Sequence, residues 1–229
     1  MATVISATEI IWATGTDPAP QDVTVPADCT AAYMFYTFWA DAGSTDLTSV
    51  TLEAVSPDQT LQQTGTGTLT ASGVAAWYNP GTGANQTVDV TWNNAPVEGA
   101  TTVIVFVKDG NTTAWRNAQA DQNTSTTAVS VTLTTVSGDL VLKYDEHYDV
   151  SETVPALTSG WTNAVTTGNV DEGARLSYIT ATGTTQVCDA EDESFSTITA
   201  ISIESVGRTD VNYRGTNRGM ARGVLRGVG

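Results

Sequence analysis

Apolar and polar residues alternate along most of this chain with a period of two, and short runs of this kind recur about every ten residues. Residues 2–13 open with an apolar stretch from Ile5 to Trp12. Gly15 to Pro20 then breaks the pattern with turn residues. Asp22 to Pro26 alternates and stops at proline, which suits an edge strand. Ala31 to Trp39 is the most apolar run of all, and predicts a central strand covered on both faces. Further strands are predicted at Leu47–Leu52, Val74–Tyr78, Thr87–Trp92, Thr101–Val107, Ala128–Leu133 and Leu140–Tyr144. Weaker ones follow at 161–170, 174–182, 184–188 and 195–203. Within Thr87–Trp92, Val88, Val90 and Trp92 share one face, and Thr87, Asp89 and Thr91 share the other.

Between these runs, Gln59 to Ser72 reads as a loop or ragged hairpin, and Asn111 to Asn123 as irregular. Asp145 to Glu152 reads as an acidic loop that holds the single histidine, His147. No amphipathic helix is legible, and no repeat within the body. The expectation is an all-β protein: one two-sheet antiparallel sandwich over residues 1–207, followed by an arm over 208–229. Abundant threonine and valine, with few good helix formers, agree with this class. With 40% hydrophobic and 15% charged residues the chain is globular in composition.

The arm breaks the β pattern. From Tyr213 the sequence runs x-Arg-Gly-x four times, with Arg214, Arg218, Arg222 and Arg226 each followed by a glycine: Gly215, Gly219, Gly223 and Gly227. Charge is divided along the same line. From Arg208 onward there are five arginines and one acid, Asp210, out of 9 basic and 25 acidic residues in the whole chain. Residues 1–207 are therefore near −20 and the arm near +4, within a net charge of −16. Such an arm is expected to dock on acid: its own body, a copy of it, or another protein. Glycine permits close backbone approach, and arginine gives bidentate bonds to carboxylates. A phosphate-binding tail and a disordered solubilising end are the competing readings of the repeat. The acidic body repels nucleic acid and anionic membranes.

No candidate for catalysis stands out. A lone histidine among acids reads as a solvated loop, and no nucleophile motif is present. The oxygen-rich stretches with Asp145, Glu146 and Asp149, and with Asp189, Glu191, Asp192 and Glu193, are of a kind that calcium accepts. They lack the pattern of a dedicated calcium loop, so no metal or cofactor is expected. Cys29 and Cys188 are read either as a disulfide or as buried thiols. Trp12, Trp39, Trp77 and Trp92 fall in strands and read as core. Trp115 and Trp161 fall in less regular segments and are the candidate glycan contacts.

Several segments, taken in order, resemble a jelly-roll β-sandwich family of phage virion and bacterial surface proteins. They are Val23-Thr-Val-Pro26, the run from Tyr33 to Trp39, Thr48 to Leu52, Ala76 to Pro80, Val88 to Trp92, Gly138 to Leu142 and Ile198 to Ile203. The likeness spans most of residues 20–204. Family members often carry a tryptophan just before the final strand, where this chain has Phe195. The resemblance implies a sandwich used for display or particle structure, and it supplies no catalytic residues. Met1 to Glu9 lacks the basic and long apolar segments of a secretion signal. The expected role is thus a structural component of a phage particle, made in the host cytoplasm. Its expected partners are other virion proteins and copies of itself. The alternative is a glycan-binding adhesion module.

Overall fold

The computed structural model describes residues 1–38, 44–66, 71–96, 100–123, 129–148, 154, 156–169, 172–190 and 196–206. In chain order the strands are β1 (Thr3–Trp12), β2 (Gln21–Val25), β3 (Ala31–Phe38), β4 (Ser44–Thr45), β5 (Leu47–Leu52), β6 (Gln59–Gln63), β7 (Gly65–Thr66), β8 (Ala71–Tyr78) and β9 (Gly83–Trp92). They continue with β10 (Ala100–Lys108), β11 (Asn117–Asn123), β12 (Ser130–Thr134), β13 (Leu140–Tyr148), β14 (Thr162–Asn169), β15 (Glu172–Thr180), β16 (Thr185–Asp189) and β17 (Ser196–Ile203). No helix occurs among the described residues. The fold is all-β and antiparallel, as the alternation predicts.

Two five-stranded sheets form the middle of the molecule, with orders β1-β10-β3-β8-β6 and β11-β17-β13-β15-β14. A three-stranded sheet, β2-β9-β5, covers the first, and a two-stranded sheet, β12-β16, covers the second. Strands β4 and β7 make a separate short pair. Three apolar clusters lie between these layers. The first joins Met34, Tyr36, Ile104 and Phe106 to Val23, Val50, Val88 and Trp92. The second joins Tyr33, Phe35, Val103 and Val105 to Leu142, Tyr144, Leu176 and Ile201. The third joins Val141, Ile198 and Ala200 to Val131, Leu133 and Cys188.

The expected two-sheet sandwich is therefore corrected to four stacked layers. The reason lies in the central strands. In β3, Met34 and Tyr36 point to one core and Tyr33 and Phe35 to another, and all four are buried. A strand apolar on both faces needs cover on both.

The strand order contains a repeat that the sequence conceals. Strands β1, β10, β3, β8 and β6 are matched in order by β11, β17, β13, β15 and β14. The covering pair β2-β9 is matched by β12-β16, and β5 has no counterpart among the described strands. Register supports the match. Ala31 pairs with Val107 and Leu140 with Ile203, and all four face the shared middle core.

Three local expectations change. Residues 59–63 and 65–66 are strands, and β6 pairs antiparallel with nearby β8, in line with the hairpin side of that expectation and not with a loop; β11 occupies most of a stretch expected to be irregular. Strand β11 gains its ladder from a distant strand, β17, and β7 from β4. The acidic loop expected from Asp145 to Glu152 is corrected at its start, where residues 145–148 continue β13; residues 149–152 lie outside the described residues. Asp145 and Glu146 are 0% and 2% exposed. Glu146 has a partner across the fold in Thr37, and Asp145 pairs with Lys143 on its own strand, which is held in turn by Thr158 and Asp189; these partners permit the burial. Strand β2 is the outer strand of its sheet, as Pro26 predicts, and Val88, Val90 and Trp92 are buried on one face of β9.

Candidate functional site

The residues singled out as a docking arm, Arg208, Tyr213, Arg214, Gly215, Arg218, Gly219, Arg222, Gly223, Arg226 and Gly227, lie outside the described residues. What is described is the place where the arm leaves. The Val206 amide donates to the Asp109 carbonyl at 2.8 Å, and Ser205 bridges to Gly110. Ser205 Oγ donates to the Gly138 carbonyl at 2.7 Å and accepts from the Ala2 amide at 2.8 Å. The end of β17 is thus tied to the start of β1, and the exit point is fixed beside the exposed acids Asp109 and Glu204.

The body's own cations are engaged. Lys108 pairs with Asp28 at 3.4 Å. Arg116 pairs with Asp139 at 2.6 Å and with Glu204 at 3.3 Å, and both carboxylates hold the guanidinium pKa above its usual value. Lys143 pairs with Asp145 at 3.3 Å, and Arg175 stands in register beside Asp145. Asp17, Asp22, Glu53, Asp58, Asp109, Asp121 and Asp189 are exposed and make no ion pair among the described residues.

Lys143 and Asp145 form an internal polar centre in the second half of the chain. The ammonium donates to Asp145 Oδ2, to Thr158 Oγ1 at 3.2 Å and to the Asp189 carbonyl at 2.7 Å. It also stands 5.2 Å from the ring centre of Trp161. Burial pushes the Asp145 carboxyl up to about 6, against the opposing pull of Lys143 and Arg175. Asp145 Oδ1, Arg175 Nε and Ser177 Oγ are buried without partners. On the other face of β13, Glu146 accepts hydrogen bonds from Thr37 Oγ1 and, at 3.4 Å, from Thr197 Oγ1. His147 pairs in register with Ser196 and Gly173 within the sheet, so it belongs to a strand and not to a loop. Among the described residues no cluster of His, Cys, Asp and Glu could hold a metal ion.

The tryptophans singled out as exposed contacts are corrected. Trp161 is 8% exposed, packed in the third core beneath Lys143. Trp115 is half-buried against the middle core, and its amide donates to Gln59 Oε1 at 3.0 Å. Both are recruited by neighbours distant in sequence, which local irregularity does not reveal. Cys29 and Cys188 are free thiols in different cores. Burial pushes them up to about 11 and about 12, so both are unreactive protonated thiols near neutral pH.

A surface groove of about 300 Å³ lies between β5 and β6. Tyr36, Leu47, Val50 and Pro57 give it apolar walls, and Thr48, Ser49, Ser56 and Thr60 give it hydroxyls. Tyr36 OH donates to Gln62 Oε1 at 2.7 Å, and Gln62 Nε2 donates to Asp46 Oδ1 at 2.9 Å. Thr64 Oγ1 donates to the same Asp46 oxygen at 2.6 Å. One wall is thereby held rigid and ends in a carboxylate. Nothing in the sequence marks this groove, because it forms between strands of two different sheets.

No protein-family model matches the chain. No curated protein and no solved structure matches it either.

Proposed function

We propose that the chain is a structural protein of a phage particle, a head decoration or tail component, whose body is displayed and whose Arg-Gly arm docks on neighbouring virion proteins or on copies of itself. The observation that carries this reading is the division of charge. Among the described residues Lys108, Arg116 and Lys143 each pair with a carboxylate and Arg175 stands in register with Asp145, while seven exposed acids make no ion pair. The arm's arginines are what remains to meet them. Arginine paired with carboxylate is the strong, oriented form of that contact.

The strand orders support a jelly-roll reading of each half. In a jelly roll of eight strands, the first, eighth, third and sixth form one sheet, and the second and seventh lie adjacent in the facing one. Leaving aside the short strands β4 and β7, the orders β1-β10-β3-β8 and β2-β9-β5 follow that rule; the seven described strands of the second half, in the orders β11-β17-β13-β15 and β12-β16, follow it once the place matching β5 is counted. No described helix is long and apolar enough to cross a membrane. The reading assigns no catalysis to the body. Glycan binding through exposed aromatic rings draws less support, because no aromatic side chain described here is exposed.

The test is incorporation into particles. A chain ending at Gly207 is expected to reach particles at a small fraction of the wild-type level, and so is a full-length chain with Arg214, Arg218, Arg222 and Arg226 changed to Ala. Wild-type incorporation of both variants would refute the docking role.

A further inference from the structure

We propose that the groove between β5 and β6 receives the chain's own Arg-Gly arm as an added strand. This rests on the reading of the arm as an acid-docking element and names its resting place on the chain's own body, from which assembly releases it to a neighbour.

The groove lies between two sheet ends. Strand β5 closes the order β2-β9-β5, and β6 closes β1-β10-β3-β8-β6, so each has one edge without a ladder partner among the described residues. The groove between them is lined by both strands. Unpaired strand edges accept an extended segment through main-chain hydrogen bonds.

Its shape and charge suit this arm. In an extended chain alternate side chains point to opposite sides. Arg214, Arg218, Arg222 and Arg226 are all even-numbered and fall on one side, and the four glycines that follow them fall on the other. On that side the glycines alternate with Tyr213, Asn217, Ala221 and Leu225; the glycines can lie close against Tyr36 and Val50 at the base, while the arginines project outward. No lysine or arginine lines the groove. Acids stand at both ends: Asp46 beyond Gln62, and Glu53 and Asp58 in the β5–β6 connection.

The path is short. Val206, the last described residue before the arm, is bonded to Asp109, at the start of the connection from β10 to β11. Further along that connection, the Trp115 amide is bonded to Gln59, the first residue of β6. Residues 109–115 thus bridge Val206 to one end of the groove, a span of at most ~20 Å that the arm must retrace, because the chain runs antiparallel to this segment up to Val206. The 23 residues beyond Val206 span up to ~75 Å when extended, ample to enter it. Attachment to the same chain raises the arm's local concentration to about the millimolar range, so modest contacts suffice.

The experiment uses the full-length chain with two added cysteines, Thr60→Cys in the groove and Ala221→Cys on the glycine side of the arm. The native Cys29 and Cys188 are buried and do not compete. Mild oxidation of dilute protein is expected to give an intramolecular disulfide, seen by non-reducing electrophoresis and peptide mass mapping. Thr24→Cys, on the exposed face of β2, paired with Ala221→Cys should stay largely reduced. Adding Asp58→Arg to the groove pair should lower its yield several-fold. Equal yields from Thr60→Cys and Thr24→Cys, or disulfides formed only between chains, overturn the proposal. So does a neutral oligosaccharide that shields Thr60→Cys from a thiol reagent in a chain whose arm never crosslinks. Absent crosslinking with arm-dependent particle assembly rejects the groove alone, whereas assembly that ignores the arm rejects the docking reading itself.

Discussion

The two halves of this chain share a strand order and fill it differently. In the first half, Met34 and Tyr36 face the first core from β3, opposite Ala75 and Gly73 of β8. At the matching places of the second half stand Lys143 and Asp145 of β13, opposite Ser177 and Arg175 of β15. The exchange is concerted. A Cβ on Gly73 would collide with the Tyr36 ring, so the large residue in β3 demands the small one in β8. Where an aspartate replaces the tyrosine, an arginine replaces the glycine. Cover differs too. Strand β5 lays Val50 and Leu52 over the first interior, but β16 has no third strand beside it among the described residues. Thr158 and Trp161, from the segment before β14, reach Lys143 instead. One topology thus tolerates an apolar interior or an ion-paired one, provided that each buried charge meets a partner.

The comparison yields predictions of graded size. The largest concerns the core that joins the halves. Phe35→Ala removes a fully buried ring packed against Tyr144, their centroids 5.9 Å apart. It is expected to cost about 3–5 kcal/mol. Because the same core holds residues of both halves, thermal unfolding should remain a single transition at lower temperature. Two separated calorimetric transitions would show that the halves are energetically independent.

Removing one member of the buried pair comes next. Lys143→Met alone strands the Asp145 carboxylate and should cost about 3–5 kcal/mol in denaturant unfolding. Lys143→Met with Asp145→Tyr and Arg175→Gly places the first half's residues at all three matching positions. That triple variant should recover most of the loss. If it is no more stable than the single variant, the structural correspondence does not extend to packing.

A third effect is read in pH. Burial raises Asp145 from an ordinary 3.8 to about 6 in the folded chain. The folded state then holds a proton that the unfolded state has already lost, so this group's contribution to stability falls as pH rises from about 4 to 6. A fall of a few kcal/mol across that window is the upper end of the effect. Asp145→Asn should flatten the slope in urea titrations made between pH 4 and 7. An unchanged slope would place the titration elsewhere.

Smaller effects follow at Glu146 and at the surface. Thr37→Val deletes a donor to the buried Glu146 carboxylate, which joins the two central sheets, and is expected to cost about 1–3 kcal/mol. Lys108→Ala breaks an exposed pair with Asp28 and should change stability by less than ~1 kcal/mol.

The sequence alone determined what depends on local pattern. Period-two alternation located most strands and the buried face of β9, and Pro26 marked an outer strand. The charge division between body and arm was equally plain, because counting needs no geometry. Tertiary structure decided whatever depends on partners far along the chain. Asp145 and Glu146 read as solvent-facing because carboxylates usually are. Their burial depends on Lys143 held by Thr158 and Asp189, and on Thr37, which lies 109 residues from Glu146. Trp161 read as exposed until an ammonium and a core closed over it. The groove exists only because two strands adjacent in sequence end in different sheets. The repeat stayed hidden because strand order is conserved in space through pairings, and pairings constrain only which face a residue meets, not which residue fills it.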